Sequence, residues 1–502
     1  MRVTWTVRDK RLLNRHQIGM IPPHRRSIRS WTDWPGVREP EAGIGPPGNR
    51  SDHADDKLVK RIMRVFLADP GLVNFSGHFF NYIQCLIGPF QDAGHDVHVL
   101  GNRQMIPDVV AATRGIPTFI IGLDHQLGHL GDRMMQAQQR HALLREAASN
   151  IPMTEDAMRI PEIREAVYDW GTAWNVDAWR EAFEDLDRQF HLTDRDLLII
   201  NSLQHNHMIG LAEWAGRRAG EQGQGALPRF VIILHQSLRT ASGVHQARAI
   251  GFHHAFGLIS KAGLENHFHI FSDSEILSAE YSAVTSMPVG VLPIPHSAPA
   301  LAFDRPDRGT PGLCYVGTAC LARGFQFLPS VVTHLSPAIH GAQVRVEIQA
   351  QLGSSTDSEI RAACERLRQF PITLHEDALS LEDYHGILNR ADICLIPSLR
   401  PLYQAQTSGV FLEAVSFGKV VVIPEGTWMS TMAHRYGIGV TFEAGDATSL
   451  CRAVDNALTH LDVLAPRAQA ATVEWNKVNS PAGFIETLAR RVEGVLGPGN
   501  RP

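Results

Sequence analysis

Short apolar runs alternate with amphipathic segments along most of this chain, and the alternation occurs in two series. The first series extends from residue 61 to about 300 and the second from 308 to 490. Apolar runs separated by helical segments are typical of buried parallel strands, because each crossover returns the chain to the same end of the sheet. Between the two series lies a segment rich in proline and charge, residues 297–311. The pattern predicts an α/β fold of two doubly wound domains facing a cleft.

Composition narrows the functional classes. The chain has 502 residues and a net charge of −5, which argues against a general nucleic-acid-binding protein. Its six cysteines show no C-x-x-C spacing and are expected to be reduced core residues. No apolar run is long enough to span a bilayer. The N-terminus has no apolar stretch typical of a secretory signal, so we expect a cytoplasmic protein. Residues 1–60, rich in arginine, proline and glycine, are predicted to form a disordered basic extension that could touch an anionic membrane surface.

The first domain, residues 61–300, opens with a strand, a loop and a helix that Gly94 ends. The loop contains Ser76, Gly77 and His78 at the carboxyl end of the first strand, which is where ligands bind in open α/β sheets. No G-x-G-x-x-G follows the strand, so the sequence does not indicate a dinucleotide cofactor. Residues 126–190 are predicted to form a helical insertion in this domain.

The segment from residue 392 to 428 carries the strongest chemical signal. It is predicted to form a strand, a polar loop, a short helix that begins at Thr407, Ser408 and Gly409, and a second strand. A helix that starts with Ser-Gly leaves backbone N–H groups available to an anion, and phosphate is a common occupant. Glu413 lies one turn inside the same helix face, where its carboxylate could accept hydrogen bonds from sugar hydroxyls. Together these features suggest a nucleotide site.

Other interpretations of these residues stay open. A Ser-Gly helix start is often only a cap, and a glutamate within a helix usually faces solvent. With 25 histidines in the chain, a histidine in a loop is more often structural than catalytic. His78 beside the first strand, and His205 and His207 shortly after a later strand, are nevertheless candidates for general acid–base chemistry.

Several stretches resemble the GT-B nucleotide-sugar glycosyltransferases of the group-1, or family-four, type. YVGTACLARGF is similar to that family's strand and basic-Gly pair, and TSGVFLEAVSFGKVVVIPEGTW to its donor helix. FSGHFFNY is similar to its glycine loop. The resemblance covers roughly residues 61–490. It implies two Rossmann-like domains, with the acceptor on residues 61–300 and a nucleoside diphosphate sugar on residues 308–490.

The resemblance also implies roles for individual residues. Arg323 corresponds to the cation that neutralises the leaving diphosphate, Ser408 and Gly409 to the diphosphate-binding helix start, and Glu413 to the carboxylate that binds the donor ribose. The predicted donor residues are Gly317, Arg323, Gly324, Tyr403, Thr407, Ser408, Gly409 and Glu413. The predicted acceptor residues are Ser76, Gly77 and His78, and the catalytic candidates are His78, His205, His207 and Arg323.

The implied activity is that of a retaining hexosyltransferase of polysaccharide biosynthesis, acting on a glycan, a lipid-linked sugar or a small molecule. No Asp-x-Asp motif follows a strand, so neither a metal nor another cofactor is expected. The chain departs from the family pattern at Ala405, where a first glutamate is usual, at Thr318 and Cys320, where a second basic residue is usual, and at Asn201, where a histidine is frequent. Two alternatives therefore remain: a catalytically inactive protein that binds sugar nucleotides, and a nucleotide-sugar 2-epimerase.

Overall fold

A computed structural model describes residues 63–75, 78–120, 170–240, 243–244, 246–296, 309–352, 357–377 and 379–492. The predicted extension 1–60 lies outside the described residues. So do residues 126–169 of the predicted insertion and residues 297–308 of the predicted linker.

The first sheet has seven parallel strands. They are β1 (Arg64–Ala68), β2 (Asp96–Asn102), β3 (Ile116–Phe119), β4 (Asp196–Asn201), β5 (Arg229–Leu234), β8 (Phe268–Ser272) and β9 (Val289–Val291). Their order is β3-β2-β1-β4-β5-β8-β9, so the direction of winding reverses between β1 and β4. A separate antiparallel pair is formed by β6 (Arg239–Thr240) and β7 (Gly243–Val244).

Helices cover both faces of this sheet. They are α1 (His78–Asp92), α2 (Pro107–Thr113), α3 (Trp170–Phe190), α4 (His205–Gln222), α5 (Gln246–Lys261) and α6 (Glu275–Ser282), with 3-10 turns at Gln224–Ala226 and Glu265–His267. The predicted end of the first helix is confirmed, since Gly94 has a φ of +87° just beyond α1. Two separate clusters of buried apolar side chains fill the space on either side of the sheet.

The second sheet has six parallel strands. They are β10 (Gly312–Tyr315), β11 (Arg345–Gln349), β12 (Thr373–His375), β13 (Ile393–Leu395), β14 (Val420–Pro424) and β15 (Gly439–Phe442). Their order is β12-β11-β10-β13-β14-β15, with the reversal between β10 and β13. Ligands of doubly wound sheets bind outside the carboxyl ends of the strands at such a reversal. A site is therefore expected beyond β1 and β4 in the first sheet and beyond β10 and β13 in the second.

The helices of this half follow the strands. They are α7 (Leu328–His334), α8 (Ser336–His340), α9 (Ser358–Leu367), α10 (Leu381–Arg390), α11 (Arg400–Tyr403), α12 (Gly409–Ser416), α13 (Trp428–Tyr436), α14 (Ala447–Thr459), α15 (Leu461–Val478) and α16 (Pro481–Arg491). The stretch predicted as a polar loop before α12 contains the short helix α11. Before α7 the chain forms 3-10 turns at Leu321–Arg323 and Phe325–Phe327, because the left-handed Gly324 between them interrupts α-helical geometry.

The C-terminal helices connect the two halves of the molecule. Trp475 of α15 donates its indole N–H to the carbonyl oxygen of Leu412 at 3.2 Å and so packs on α12. Phe484 of α16 is fully buried and lies 6.1 Å, ring to ring, from Tyr82 of α1 in the first half. None of the helices in the described ranges combines the length and apolarity needed to cross a membrane.

Candidate functional site

The start of α12 has the geometry that the sequence predicted for it. Ser408 is the N-cap residue, and its hydroxyl accepts a hydrogen bond from the backbone N–H of Phe411 at 3.3 Å. The amides of Gly409 and Val410 precede the first intrahelical hydrogen bond. Gly409 is exposed, and a Cβ placed on it would meet no atom within 4 Å, so this end of the helix faces open space.

Arg323 lies beside this helix start. The turn after β10 is left-handed at Gly317, with a φ of +110°. A Cβ on Gly317 would lie 2.5 Å from Nη1 of Arg323 and 3.5 Å from Cγ2 of Val410. The positive φ favours glycine at this position, and the guanidinium of Arg323 occupies the space over the strand end. The amide of Gly317 is held in turn by Oε1 of Gln349 at 2.7 Å.

The Arg-Gly turn itself is packed tightly. Gly324 has a φ of +73°, and a Cβ on it would lie 1.8 Å from the carbonyl oxygen of Pro397, just beyond β13. The guanidinium of Arg323 also hydrogen-bonds the side chain of Tyr403 from α11. The cation is thus held between the ends of the two strands at which the second sheet reverses.

Gly324→Ala should destabilise the fold by roughly 3–5 kcal/mol, because alanine adds both backbone strain and a clash with a main-chain oxygen. Chemical denaturation measures the loss. Gly409→Ala is the matched control, since its added methyl group has open space and its stability should be unchanged or higher. Equal stability of the two variants would contradict the packing described for the Arg-Gly turn.

Glu413 faces the same region from inside α12. Its Oε2 accepts a hydrogen bond from the hydroxyl of Tyr384, which α10 supplies. Burial raises the pKa of Glu413 to about 7, although the Tyr384 hydroxyl and the positive charge of Arg323 lower it in part. Burial also raises the pKa of Tyr384 well above its usual value, so this phenol acts as a donor to the carboxylate. The side chains of Arg323 and Tyr384 therefore both lie near the Glu413 carboxylate of α12.

A second polar group lies at the carboxyl edge of the first sheet. Asp69, Asn201, His235 and Asp273 follow or end the neighbouring strands β1, β4, β5 and β8. Oδ2 of Asp69 accepts from Nδ2 of Asn201 at 2.7 Å, and the Asn201 amide oxygen bonds Nε2 of His235. Nδ1 of His235 lies 2.8 Å from Oδ2 of Asp273. Both ring nitrogens of His235 thus lie within hydrogen-bonding distance of oxygen atoms, one on Asn201 and one on Asp273.

Burial raises the pKa of Asp69 from 3.8 to about 7, while hydrogen bonds from Gly71 and Asn201 lower it in part. The folded state therefore keeps a proton that the unfolded state releases. The stabilisation is complete below about pH 4 and is lost as the pH rises towards 7, by up to roughly 4 kcal/mol. We expect the stability of Asp69→Asn to fall less steeply than that of the natural protein between pH 4 and 7, measured by denaturation at several pH values. Parallel profiles would contradict the raised pKa.

The structure places the other predicted residues elsewhere. His205 and His207 lie in the first turn of α4 and are almost fully buried. The His207 ring stacks on Trp179 with ring centres 4.4 Å apart, and His205 packs against Gly251, where a Cβ would be 2.3 Å from its ring. Neither ring belongs to the two polar groups above, and a catalytic role for these histidines stays a prediction. Ser76 and Gly77, and the side chain of His78, lie outside the described residues.

Asp69, Gln349 and Tyr384 are not among the site residues predicted from the sequence. A polar residue directly after a buried strand was the available signal for Asp69 and Asp273. Within the described ranges, no group of three or more His, Cys, Asp or Glu side chains is arranged to hold a metal ion.

Comparison with known proteins gives the fold. No protein-family model matches the sequence, and no curated protein matches it significantly. The structure is similar to a glycosyltransferase from Rickettsia africae, with a TM-score of 0.57 and 12% identity over 87% of this chain and 100% of that one. It is also similar to HepE from Anabaena in complex with UDP, with a TM-score of 0.56 and 12% identity over 86% and 99% of the two chains.

A sucrose-phosphate synthase from Thermosynechococcus elongatus matches with a TM-score of 0.54 and 14% identity over 85% of this chain and 98% of that one. These matches cover both sheets of the structure. The chain therefore has the GT-B fold of two Rossmann-like domains, and the predicted fold class is confirmed.

Proposed function

We propose that this protein is a glycosyltransferase that moves a sugar from a nucleoside diphosphate sugar to an acceptor. One observation carries the proposal: the Arg323 guanidinium, the open N-terminus of α12 and the Glu413 carboxylate converge at the edge where the second sheet reverses. Similarity to a structure named as a glycosyltransferase, and to the structure of HepE in complex with UDP, supports it.

Each group matches one part of a nucleoside diphosphate sugar. The amides of Gly409 and Val410 and the positive end of the α12 dipole bind the diphosphate. Arg323 meets the charge that grows on the diphosphate as the sugar–phosphate bond breaks. Glu413 accepts hydrogen bonds from the two ribose hydroxyls, while Tyr384 holds the carboxylate in place.

This arrangement supplies the positive charge that the leaving group needs, and we propose that transfer requires no added metal ion. The proposal rests on Arg323 and the helix amides rather than on any metal ligand. Activity retained after EDTA treatment supports it. Activity that is lost and then restored by a divalent cation overturns it.

The acceptor is proposed to bind at the facing edge of the first sheet. Ligands of doubly wound sheets bind at such a reversal, here between β1 and β4, and the predicted acceptor residues Ser76, Gly77 and His78 follow β1 in the sequence. The His235 side chain, 15% exposed, is the most accessible member of the polar group at this edge.

A donor-binding protein without transferase activity is the second candidate, and Ala405 is the observation that favours it. Its side chain is buried, and its carbonyl oxygen accepts a hydrogen bond from the Ser274 hydroxyl at 2.8 Å. A methyl group at this position makes no hydrogen bond to a sugar.

Two measurements test these candidates. Calorimetry with UDP, GDP and ADP shows whether the α12 site binds a nucleotide, and Glu413→Gln is the control for that site. Incubation with labelled nucleotide sugars and candidate acceptors then separates transfer or hydrolysis from epimerisation and from binding alone.

The anomeric configuration of a product, read by NMR, tests our further proposal that transfer is retaining. A protein that binds none of the three nucleotides would overturn the proposed function.

A further inference from the structure

Three hydrogen bonds join the two domains at residues 405–407, directly before α12. The Ser274 hydroxyl donates to the carbonyl oxygen of Ala405 at 2.8 Å. Nε2 of Gln406 donates to the carbonyl oxygen of His235 at 3.2 Å. The Thr407 hydroxyl donates to Oδ2 of Asp273 at 2.7 Å. We call these three contacts the interdomain latch.

Asp273 is the charged member of the latch. Its side chain is only 2% exposed, and the same oxygen that receives the Thr407 hydroxyl also bonds His235. Behind His235 the hydrogen bonds continue through Asn201 to Asp69, so four adjacent strand ends hold the carboxylate. Since a parallel sheet is rigid at its centre, Asp273 presents a fixed acceptor to the second domain.

Thr407 carries this constraint to the helix start. It is bonded to the residue that caps α12, Ser408, and lies two positions before Gly409. The position of the α12 amides relative to Arg323 therefore depends on where the Thr407 hydroxyl is held. Small displacements of groups that bind a diphosphate have large effects on its binding and reaction.

We propose that Asp273 is a positioning residue of the donor site: by binding the Thr407 hydroxyl, this carboxylate of the first domain fixes the start of α12 in the second domain. The inference rests on the proposed function, since it assumes that the start of α12 binds a nucleoside diphosphate. It predicts that nucleotide affinity depends on a first-domain residue that does not touch the nucleotide.

One atom of the latch lacks a hydrogen-bond partner among the described residues. The second carboxylate oxygen of Asp273, Oδ1, is buried and receives no hydrogen bond in the described part of the chain. A buried carboxylate oxygen without a donor is unfavourable, so the closed contact is less stable than a fully satisfied one.

Calorimetry with UDP on single and paired variants tests the proposal. Thr407→Val preserves the side-chain shape but removes the hydroxyl, and it should weaken UDP binding about tenfold, as expected for one hydrogen bond to a charged group. Thr407→Ser keeps the hydroxyl and should stay within about threefold of the natural protein. Asp273→Ala, which removes the acceptor, should weaken binding by a similar factor to Thr407→Val. The double variant should be no weaker than the worse single variant, because both remove the same contact.

Gln406→Ala is the matched control, since it removes another latch hydrogen bond without touching Asp273 or Thr407. Its UDP affinity should change less than that of Thr407→Val, and thermal unfolding should show all variants folded. If the natural protein and Thr407→Val bind UDP equally tightly, the inference is wrong, while the proposed function still stands. Additive losses in the double variant also overturn the inference. Natural protein that binds no UDP, GDP or ADP overturns both.

Discussion

Arg323→Ala is expected to lower kcat about a hundredfold while changing the KM for the donor much less. The guanidinium lies against Gly317 and the first turn of α12, where the departing diphosphate would gain charge. An interaction that strengthens as the bond breaks belongs to the transition state, so its loss appears in turnover. Steady-state kinetics with a saturating acceptor measure both constants.

Arg323→Lys is the control for this variant, because it keeps the charge but not the forked donor geometry, and an intermediate kcat is expected. Both variants should be checked for stability, since the guanidinium also bonds Tyr403. A variant whose only defect is a raised KM would show that Arg323 binds the ground state and does not stabilise the leaving group.

Glu413→Gln is expected to weaken donor binding about ten- to a hundredfold while leaving the fold intact, as one or two charge-assisted hydrogen bonds to the ribose are lost. Glutamine has the same shape and can still accept the Tyr384 hydroxyl through its amide oxygen. The measurement is the KM for the nucleotide sugar, or its affinity by calorimetry. Unchanged donor binding would remove Glu413 from the site.

The pH dependence of donor binding gives the same prediction an independent test. Burial raises the pKa of Glu413 to about 7, and the ionised form is the better acceptor for two ribose hydroxyls. Affinity should therefore be about tenfold lower at pH 6 than at pH 8, because about a tenth of the carboxyl is ionised at pH 6. Glu413→Gln should lose this dependence. A natural protein whose donor affinity is flat across this range would show that the carboxylate does not titrate there.

The sequence alone was sufficient for the features whose cause is local. The cap at Ser408, the start of α12 at Gly409 and its end before Gly418, which has a φ of +63°, all follow from neighbouring residues. The cap of α10 has the same kind of local cause, since the Ser380 hydroxyl accepts a hydrogen bond from the backbone N–H of Asp383 at 3.1 Å. Strand positions were predictable too, because a run of buried apolar residues between helices has few other uses.

The environment of His205 and His207 could not be predicted from the local sequence pattern. In sequence they follow a strand end, which is where site residues occur, but in the structure α4 packs on α3. Trp179 of α3 covers the His207 ring. Which helix covers a given face depends on packing between segments far apart in the chain, and the residues next to a histidine do not encode it.

The polar group at the edge of the first sheet was decided by the tertiary structure alone. Asp69, Asn201, His235 and Asp273 belong to segments far apart in the chain, and they meet only because β1, β4, β5 and β8 are neighbours in the sheet. The link from Asp273 to Thr407 further requires the two domains to face each other. Caps, turns and periodicity arise from interactions within a few residues and can be recognised in a sequence. Strand order and domain contacts arise from burial summed over the whole chain, so these residues become a site only after the chain has folded.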